Sequence, residues 1–340
     1  MTSLVVQTAF LGDVVLTTPL LEALGARHGP LDVVTTPAAA PLVETHPAVR
    51  RVIAYDKRGN DRGLRGLVRL ARALKAERYE AAYLPHRSLR SAALAWLARI
   101  PKRVGFKDGW PLLYTEVLRR PANEHEIDRL LTLARAGAPS EGPSARPSIV
   151  ANGADRAATD ALLREHGIRK PFVALAPGSI WGSKRWPYYE ELARRLAERA
   201  AIVAVGASED ASLGEGIVKA VTAGGRQWKA VNACGKLTLR QAADLIGRAA
   251  LLVTNDSAPL HFAQAVGTPT VAIFGPTVPA FGFGPRGPHD RVVEFTGLLC
   301  RPCSAHGPPS CPLVHHRCMR ALTVDAVLNA IEETGALPRQ

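Results

Sequence analysis

No run of about twenty apolar residues occurs in the 340-residue chain, so no membrane-crossing helix is expected. Aromatic residues make up only 6% and are not interleaved with the arginines, which disfavours a stacking platform for single-stranded nucleic acid. No helix-turn-helix or RNP-type signature stands out either, and nucleic acid is not an expected partner. The loop after the first strand lacks the G-x-G-x-x-G of dinucleotide-binding domains, and the G-x-x-x-x-G-K-[ST] of phosphate-binding loops is missing throughout. No Asp-x-Asp pair occurs, so nothing indicates a carboxylate-held divalent ion bridging a diphosphate. A basic segment leading into a signal-like apolar stretch is also missing. Leu4-Val5-Val6 begins a strand instead, and the expected location is the cytoplasm.

What is present is a hydrophobic fraction of 47% and a net charge of +13. That fraction suffices for packed α/β cores and argues against disorder. Residues 1–150 hold 22 Lys and Arg against 14 Asp and Glu, the remainder 21 against 16. The bias is sharpest between Arg50 and Lys107, with 16 basic and 4 acidic side chains. Solvated helix faces explain part of it; the functional reading is a surface for anionic lipid headgroups or an acidic glycan.

Strand and helix patterns alternate along the first half, from Leu4–Thr8 and Val14–Arg27 to a helix over Glu124–Ala136. Such repeated units predict a parallel sheet with helices on both faces. Gly137–Pro147, rich in proline, glycine and serine, reads as a linker. The alternation then resumes, with strands near Phe172–Leu175, Ile202–Val205, Ala230–Asn232, Leu251–Val253 and Thr270–Phe274. The expected organisation is two doubly wound, Rossmann-like domains, 1–145 and 146–340, facing one another across a cleft.

Two strand-to-helix turns in the second half carry the strongest chemical signal. Thr254-Asn255-Asp256-Ser257-Ala258-Pro259-Leu260-His261 follows an apolar strand and opens a helix that Gly267 stops. Ala176-Pro177-Gly178-Ser179 runs through Lys184-Arg185-Trp186-Pro187 and does likewise. Helix N-termini at the carboxyl end of a parallel sheet favour anions. Together the turns predict a diphosphate site in which Lys184, Ser179 and the N–H groups at Ser257 and Ala258 neutralise charge without a metal. Glu209, following strand Ile202–Val205, is the candidate acceptor for ribose hydroxyls; a plain N-cap acid is the alternative. Asp256 would order its own turn or touch a sugar, and His261 reads as a packed or phosphate-adjacent histidine. In the first half, Gly12-Asp13 sits where a helix begins. Asp13 is either a helix cap or a carboxylate available as a general base. Cys300, Cys303, Cys311 and Cys318, with His315 and His316 between them, leave metal ligation, reduced loop thiols and disulfides all open.

In combination, Leu11-Gly12-Asp13-Val14-Val15-Leu16-Thr17-Thr18-Pro19, Pro177-Gly178-Ser179 with Lys184-Arg185-Trp186-Pro187, and Asn255-Asp256-Ser257-Ala258-Pro259-Leu260-His261 with Phe274-Gly275-Pro276-Thr277 resemble the ADP-heptose:lipopolysaccharide heptosyltransferases of glycosyltransferase family nine. The cysteine segment is similar to that of the heptosyltransferase II branch. Ala258 departs from the pattern, where the family often has glycine. The resemblance implies a GT-B fold, an acceptor-binding first domain and a nucleotide-sugar-binding second domain. It also implies metal-independent inversion with no cofactor, ADP-heptose as donor and the anionic lipopolysaccharide core as acceptor. Peripheral contact with the inner membrane surface would follow. Another nucleotide-sugar enzyme of the same fold, or a non-catalytic protein binding anionic glycolipid or nucleic acid, is the alternative.

Overall fold

The computed structural model describes residues 2–135, 145–225 and 229–338. The chain divides into two compact units, Met1–Val150 and Ala151–Gln340. Most of the expected linker, Gly137–Pro147, lies outside the described residues.

The first unit runs β1 (Ser3–Val6), α1 (Leu11–His28), β2 (Leu31–Thr35), β3 (Val49–Ala54), α2 (Gly63–Ala76), β4 (Ala81–Leu84), α3 (Leu89–Leu97), β5 (Lys102–Phe106), β6 (Glu116–Leu118) and α4 (Glu126–Ala134). Its strands form one parallel sheet in the order β3-β2-β1-β4-β5-β6. Every residue of β1, β2 and β4 is buried, as strands covered on both faces require. Leu4 and Val6 share a core with Leu67 and Leu74 of α2 and Leu94 of α3. Helix α1 packs with α4 instead.

Two local devices keep this unit satisfied. Pro19 lies inside α1 and cannot donate to the carbonyl of Val15 one turn back. The Thr18 hydroxyl donates to that carbonyl at 2.8 Å instead. In β2, Asp32 is fully buried. It accepts from Arg50 at 2.9 Å, from Arg51 at 2.8 Å and from the Tyr79 hydroxyl. Burial alone would raise its pKa, but these hydrogen bonds outweigh that and hold the carboxyl below its ordinary range.

The second unit runs α5 (Gly153–Glu165), β7 (Phe172–Ala176), α6 (Tyr189–Leu196), β8 (Ala201–Ala204), α7 (Ala211–Ala223), β9 (Ala230–Asn232), α8 (Leu239–Arg248), β10 (Leu251–Asn255), α9 (Ala258–Val266), β11 (Thr270–Phe274), β12 (Arg291–Glu294), α10 (Arg317–Arg320) and α11 (Val324–Thr334). Its parallel order is β12-β11-β10-β7-β8-β9. Alternation again splits each strand between two faces. Val271 and Ile273 join a core with Leu192, Ile217 and Val327, while Ala272 and Phe274 pack with Leu260 of α9. In each unit the winding reverses beside the first strand, between β1 and β4 and between β7 and β10. That is the switch point at which open α/β sheets bind ligands, outside the carboxyl ends.

The structure departs from expectation where apolar signal is thin. Helix α1 begins at Leu11, not Val14, so Gly12 and Asp13 form its first turn. Between β2 and β3 the chain makes only a single 3-10 turn, Ala40–Leu42. Strands β6 and β12 are short, with charged residues at one end of β6 and both ends of β12, and α5 buries only Asp155, Thr159 and Leu162. None of these has a periodic apolar stripe to announce it.

Replacing Asp32 by Ala leaves the buried Tyr79 hydroxyl without its acceptor. Urea denaturation should show a loss of about 1–3 kcal/mol at neutral pH. Because the folded-state pKa is depressed, this contribution is complete above the unfolded value of about 3.9 and fades as pH falls toward the folded one. The gap between wild type and Asp32→Ala should therefore narrow below about pH 4.

Candidate active site

In the first unit the chemistry gathers past the carboxyl ends of the strands. Asp13 is the third residue of α1, and its Oδ2 accepts the Phe10 N–H at 3.1 Å. It keeps partial solvent contact, yet its pKa is raised to about 6, first by burial of the carboxyl and then by the charge of Glu126. The Phe10 N–H and Arg120 pull the other way more weakly. Arg120 is already committed: it pairs with Glu126, donates to the Pro85 carbonyl at 3.2 Å and lies 4.7 Å over the Phe106 ring. A proton acceptor near pH 6, held by a helix N-terminus and spared direct neutralisation, results.

Beside β1 and β4 stands a polar group that sequence reasoning missed. His86 Nε2 lies 3.3 Å from the Thr8 hydroxyl and 3.2 Å from that of Ser91. Lys57 Nζ donates to the Thr8 carbonyl at 2.6 Å. Burial, then the charge of Lys57, lowers the His86 pKa to about 4, so the ring is neutral at physiological pH. The one signal that could have found these residues is position: each follows the carboxyl end of a strand.

The second unit brings Ser179, Lys184, Asp256, Ser257 and Ala258 together past β7 and β10. Asn255, the last residue of β10, stitches the two turns. Its Nδ2 donates to the Pro177 carbonyl at 2.8 Å, and its Oδ1 accepts from the Trp186 N–H at 3.2 Å and the Tyr189 hydroxyl at 3.3 Å. At Gly178 a Cβ would stand 2.2 Å from the Asp210 carboxylate, so a side chain there would force that carboxylate to move. Ser179 Oγ accepts the Trp181 N–H, and its carbonyl accepts from Arg185 at 2.8 Å.

Lys184 is buried. Its Nζ donates to Asp256 Oδ2 at 2.6 Å and to the Asp256 carbonyl at 3.2 Å. Thr277, past β11, donates its hydroxyl to the same Oδ2 at 2.7 Å. An ammonium has three donors, and among the described residues these bonds use two of them. Ser257 is the N-cap of α9 but makes no side-chain cap; its hydroxyl turns back to the Asn255 carbonyl at 3.4 Å. Ala258 and Pro259 follow as the first two helical residues.

Glu209 stands apart from the lysine, exposed on the 3-10 turn Ser208–Asp210 after β8. Its carboxylate accepts from the Ser208 hydroxyl at 3.0 Å. Its pKa is lowered, first by its own backbone N–H and then by Ser208. His261 is buried on α9, 3.0 Å from Gln264 Oε1, and burial lowers its pKa.

All five cysteines are free. Among the described residues no three His, Cys, Asp or Glu side chains are placed to hold a metal. Cys303 donates to the Cys300 carbonyl at 3.3 Å, Cys311 accepts the His316 N–H at 3.4 Å, and Cys318 is buried. The segment covers the lysine turn instead. His316 Nε2 donates to the Ser183 carbonyl at 2.7 Å, and the Ser183 hydroxyl donates to the Pro308 carbonyl. Gly307, at φ +80°, sits close against the lysine: a Cβ would lie 3.1 Å from Lys184 Cε, and the left-handed backbone there favours glycine. Sequence alone marked the cysteines and not this clasp, which is a tertiary contact.

Residues 67–309 match glycosyltransferase family 9 (heptosyltransferase). Lipooligosaccharide heptosyltransferase 2 of Haemophilus influenzae is 30% identical over 300 residues, 83% of this chain and 85% of the relative. Lipopolysaccharide heptosyltransferase 2 of Salmonella typhimurium is 28% identical over 82% of this chain and 84% of its own. The solved structure of Escherichia coli ADP-heptose lps heptosyltransferase II superposes with a TM-score of 0.79 at 26% identity, covering 98% of both chains. The two parallel six-stranded sheets are thus those of GT-B heptosyltransferases, and the chain belongs to glycosyltransferase family 9, the heptosyltransferases.

Proposed function

We propose that the protein transfers heptose from ADP-heptose to the lipopolysaccharide inner core, with inversion and without a metal ion. The first unit takes the acceptor and supplies the base; the second takes the nucleotide-sugar. Asp13 accepts the proton of the attacking hydroxyl. The resulting oxygen forms a bond to the anomeric carbon, and the bond from that carbon to the diphosphate breaks, its electron pair leaving with ADP. The observation that carries this reading is the Asp13 carboxyl, whose pKa of about 6 suits a base at neutral pH.

The leaving diphosphate gains charge as the bond breaks. Lys184 holds its ammonium on Asp256 with one N–H to spare. That N–H, the Ser179 hydroxyl and the N–H groups at Ser257 and Ala258 stabilise the departing charge. Asp256, bonded to Lys184 and Thr277, orders the lysine rather than touching the sugar. Glu209, exposed past β8, accepts from the ribose. The donor identity is supported by the name of the Escherichia coli structure, ADP-heptose lps heptosyltransferase II, and the acceptor by the names of the curated relatives. No helix among the described residues is long and apolar enough to cross a membrane. The protein works on the cytoplasmic side and meets the membrane peripherally.

Asp13→Asn should lower kcat by about 10² to 10⁴ while ADP affinity, measured by calorimetry, stays as in wild type; wild-type turnover would remove the base assignment. For the wild type, kcat should rise with pH through about 6 and level off above it, since the base works only as the carboxylate. Lys184→Ala should weaken ADP binding roughly 10- to 100-fold, the worth of a charge-assisted hydrogen bond. Circular dichroism would check that the variant is folded, and unchanged ADP affinity would dismiss the phosphate role. EDTA treatment followed by assay should leave turnover intact; loss restored by magnesium would overturn metal independence.

A further inference from the structure

A groove of about 600 Å³ opens in the first unit where the carboxyl ends of α2 and α3 meet the start of β5. Val68, Arg72, Lys75, Trp96, Arg99 and Arg103 line it, and no acidic side chain does. Arg72, Lys75 and Arg99 are exposed, and none of the three has an ion-pair partner among the described residues. Arg103 is fixed at the rim by donating to the Leu113 carbonyl at 2.7 Å and the Ile100 carbonyl at 2.5 Å. Basic residues at helix ends complement the helix dipole, which accounts for Lys75 and Arg99 but not for Arg72 or Arg103. It accounts still less for Trp96, 52% exposed, or for Leu112, 98% exposed on the turn that Arg103 grips.

We propose that this groove docks the phosphate headgroup of an anionic membrane lipid, with Trp96 and Leu112 entering the interface beside it. Uncompensated cations around a half-exposed tryptophan form the chemistry of a membrane–water boundary: the charges attract the anionic surface, and the indole and leucine gain by leaving water. A nucleic-acid surface would want aromatics in series for stacking, and here one stands alone. The groove lies at the amino edge of the sheet, since Arg103 is the second residue of β5, whereas Asp13 lies past the carboxyl edge. It is therefore separate from the transfer chemistry. It rests on the reading above only in supposing that the acceptor is presented at a membrane.

The test is co-sedimentation of the full chain with phosphatidylglycerol vesicles and with phosphatidylcholine vesicles, at about 0.1 M salt, where the screening length is about 10 Å. Wild type should bind the first and not the second. Arg72→Gln/Lys75→Gln should weaken binding about 25-fold, about fivefold for each charge removed, and Trp96→Ala should weaken it without changing its salt dependence. Both variants should transfer heptose to a deacylated core acceptor as wild type does. The proposal falls if wild type ignores phosphatidylglycerol or binds both vesicles equally. It falls too if Arg72→Gln/Lys75→Gln sediments like wild type, or if a single-stranded oligonucleotide displaces the vesicles and is held more tightly. Wild type inactive on the deacylated acceptor would count against the transferase reading instead, whatever the vesicles show.

Discussion

Both units are governed by one constraint: the winding of each parallel sheet reverses beside its first strand. Helices leaving adjacent strands there go to opposite faces, so nothing regular covers the carboxyl edge between β1 and β4 or between β7 and β10. Loops fill those edges, and their polar groups must find partners locally. Asn255 shows how completely. Both ends of its amide are used to join the turns after β7 and β10, so its role at their meeting point is structural. The same edge in the first unit holds Asp13, Lys57 and His86.

Against that shared geometry the two central carboxylates differ in electrostatics. Asp256 has a lysine at 2.6 Å. Asp13 has a backbone N–H and, among the described residues, no cation in salt-bridge contact, while Arg120 pairs with Glu126, which Arg129 also holds at 3.4 Å. Breaking a buried pair such as Lys184–Asp256 by removing one partner costs about 3–5 kcal/mol, so the pair anchors a turn. A carboxyl whose pKa burial raises to about 6 is a poor anchor by comparison. One fold repeated twice thus sets two aspartates in opposite electrostatic surroundings, separated by where the nearest guanidinium or ammonium is tied.

Much of this was legible beforehand. Strand β11 has the limits its apolar run implies, because a strand buried on both faces reads as a near-continuous apolar run. The sequence marks Asp13, Lys184 and Asp256 by the strands they follow, and the structure places all three past the carboxyl edges of the sheets. The illegible part follows from tertiary contact. Thr277 and Asp256 are 21 residues apart, and His316 and Ser183 are 133 apart; no periodicity encodes those meetings. The start of α1 was misplaced because Leu11-Gly12 offers no capping side chain, the cap being Asp13 reaching back to Phe10. The groove at α2 and α3 was visible only as an excess of arginines, since its shape depends on two helix ends arriving together.

The cysteine segment shows what a motif can hide. Read as spacing, Cys300 to Cys318 suggests ligands. Read as packing, it is the lid that keeps Lys184 out of water. Cys303 donates its N–H to the Pro276 carbonyl at 2.8 Å, Arg301 reaches the Thr277 carbonyl at 2.8 Å, and His316 holds Ser183. These contacts fix both turns that meet at Asp256. Burial under this segment strengthens every electrostatic interaction the lysine makes, which a solvated lysine on the same turn would forfeit. Cys318, with its thiol pKa pushed up to about 11 by burial and then by its neighbouring thiols, behaves as a small apolar side chain packed beside Met319. Protonated thiols suit such a segment because they are compact and behave as small apolar side chains.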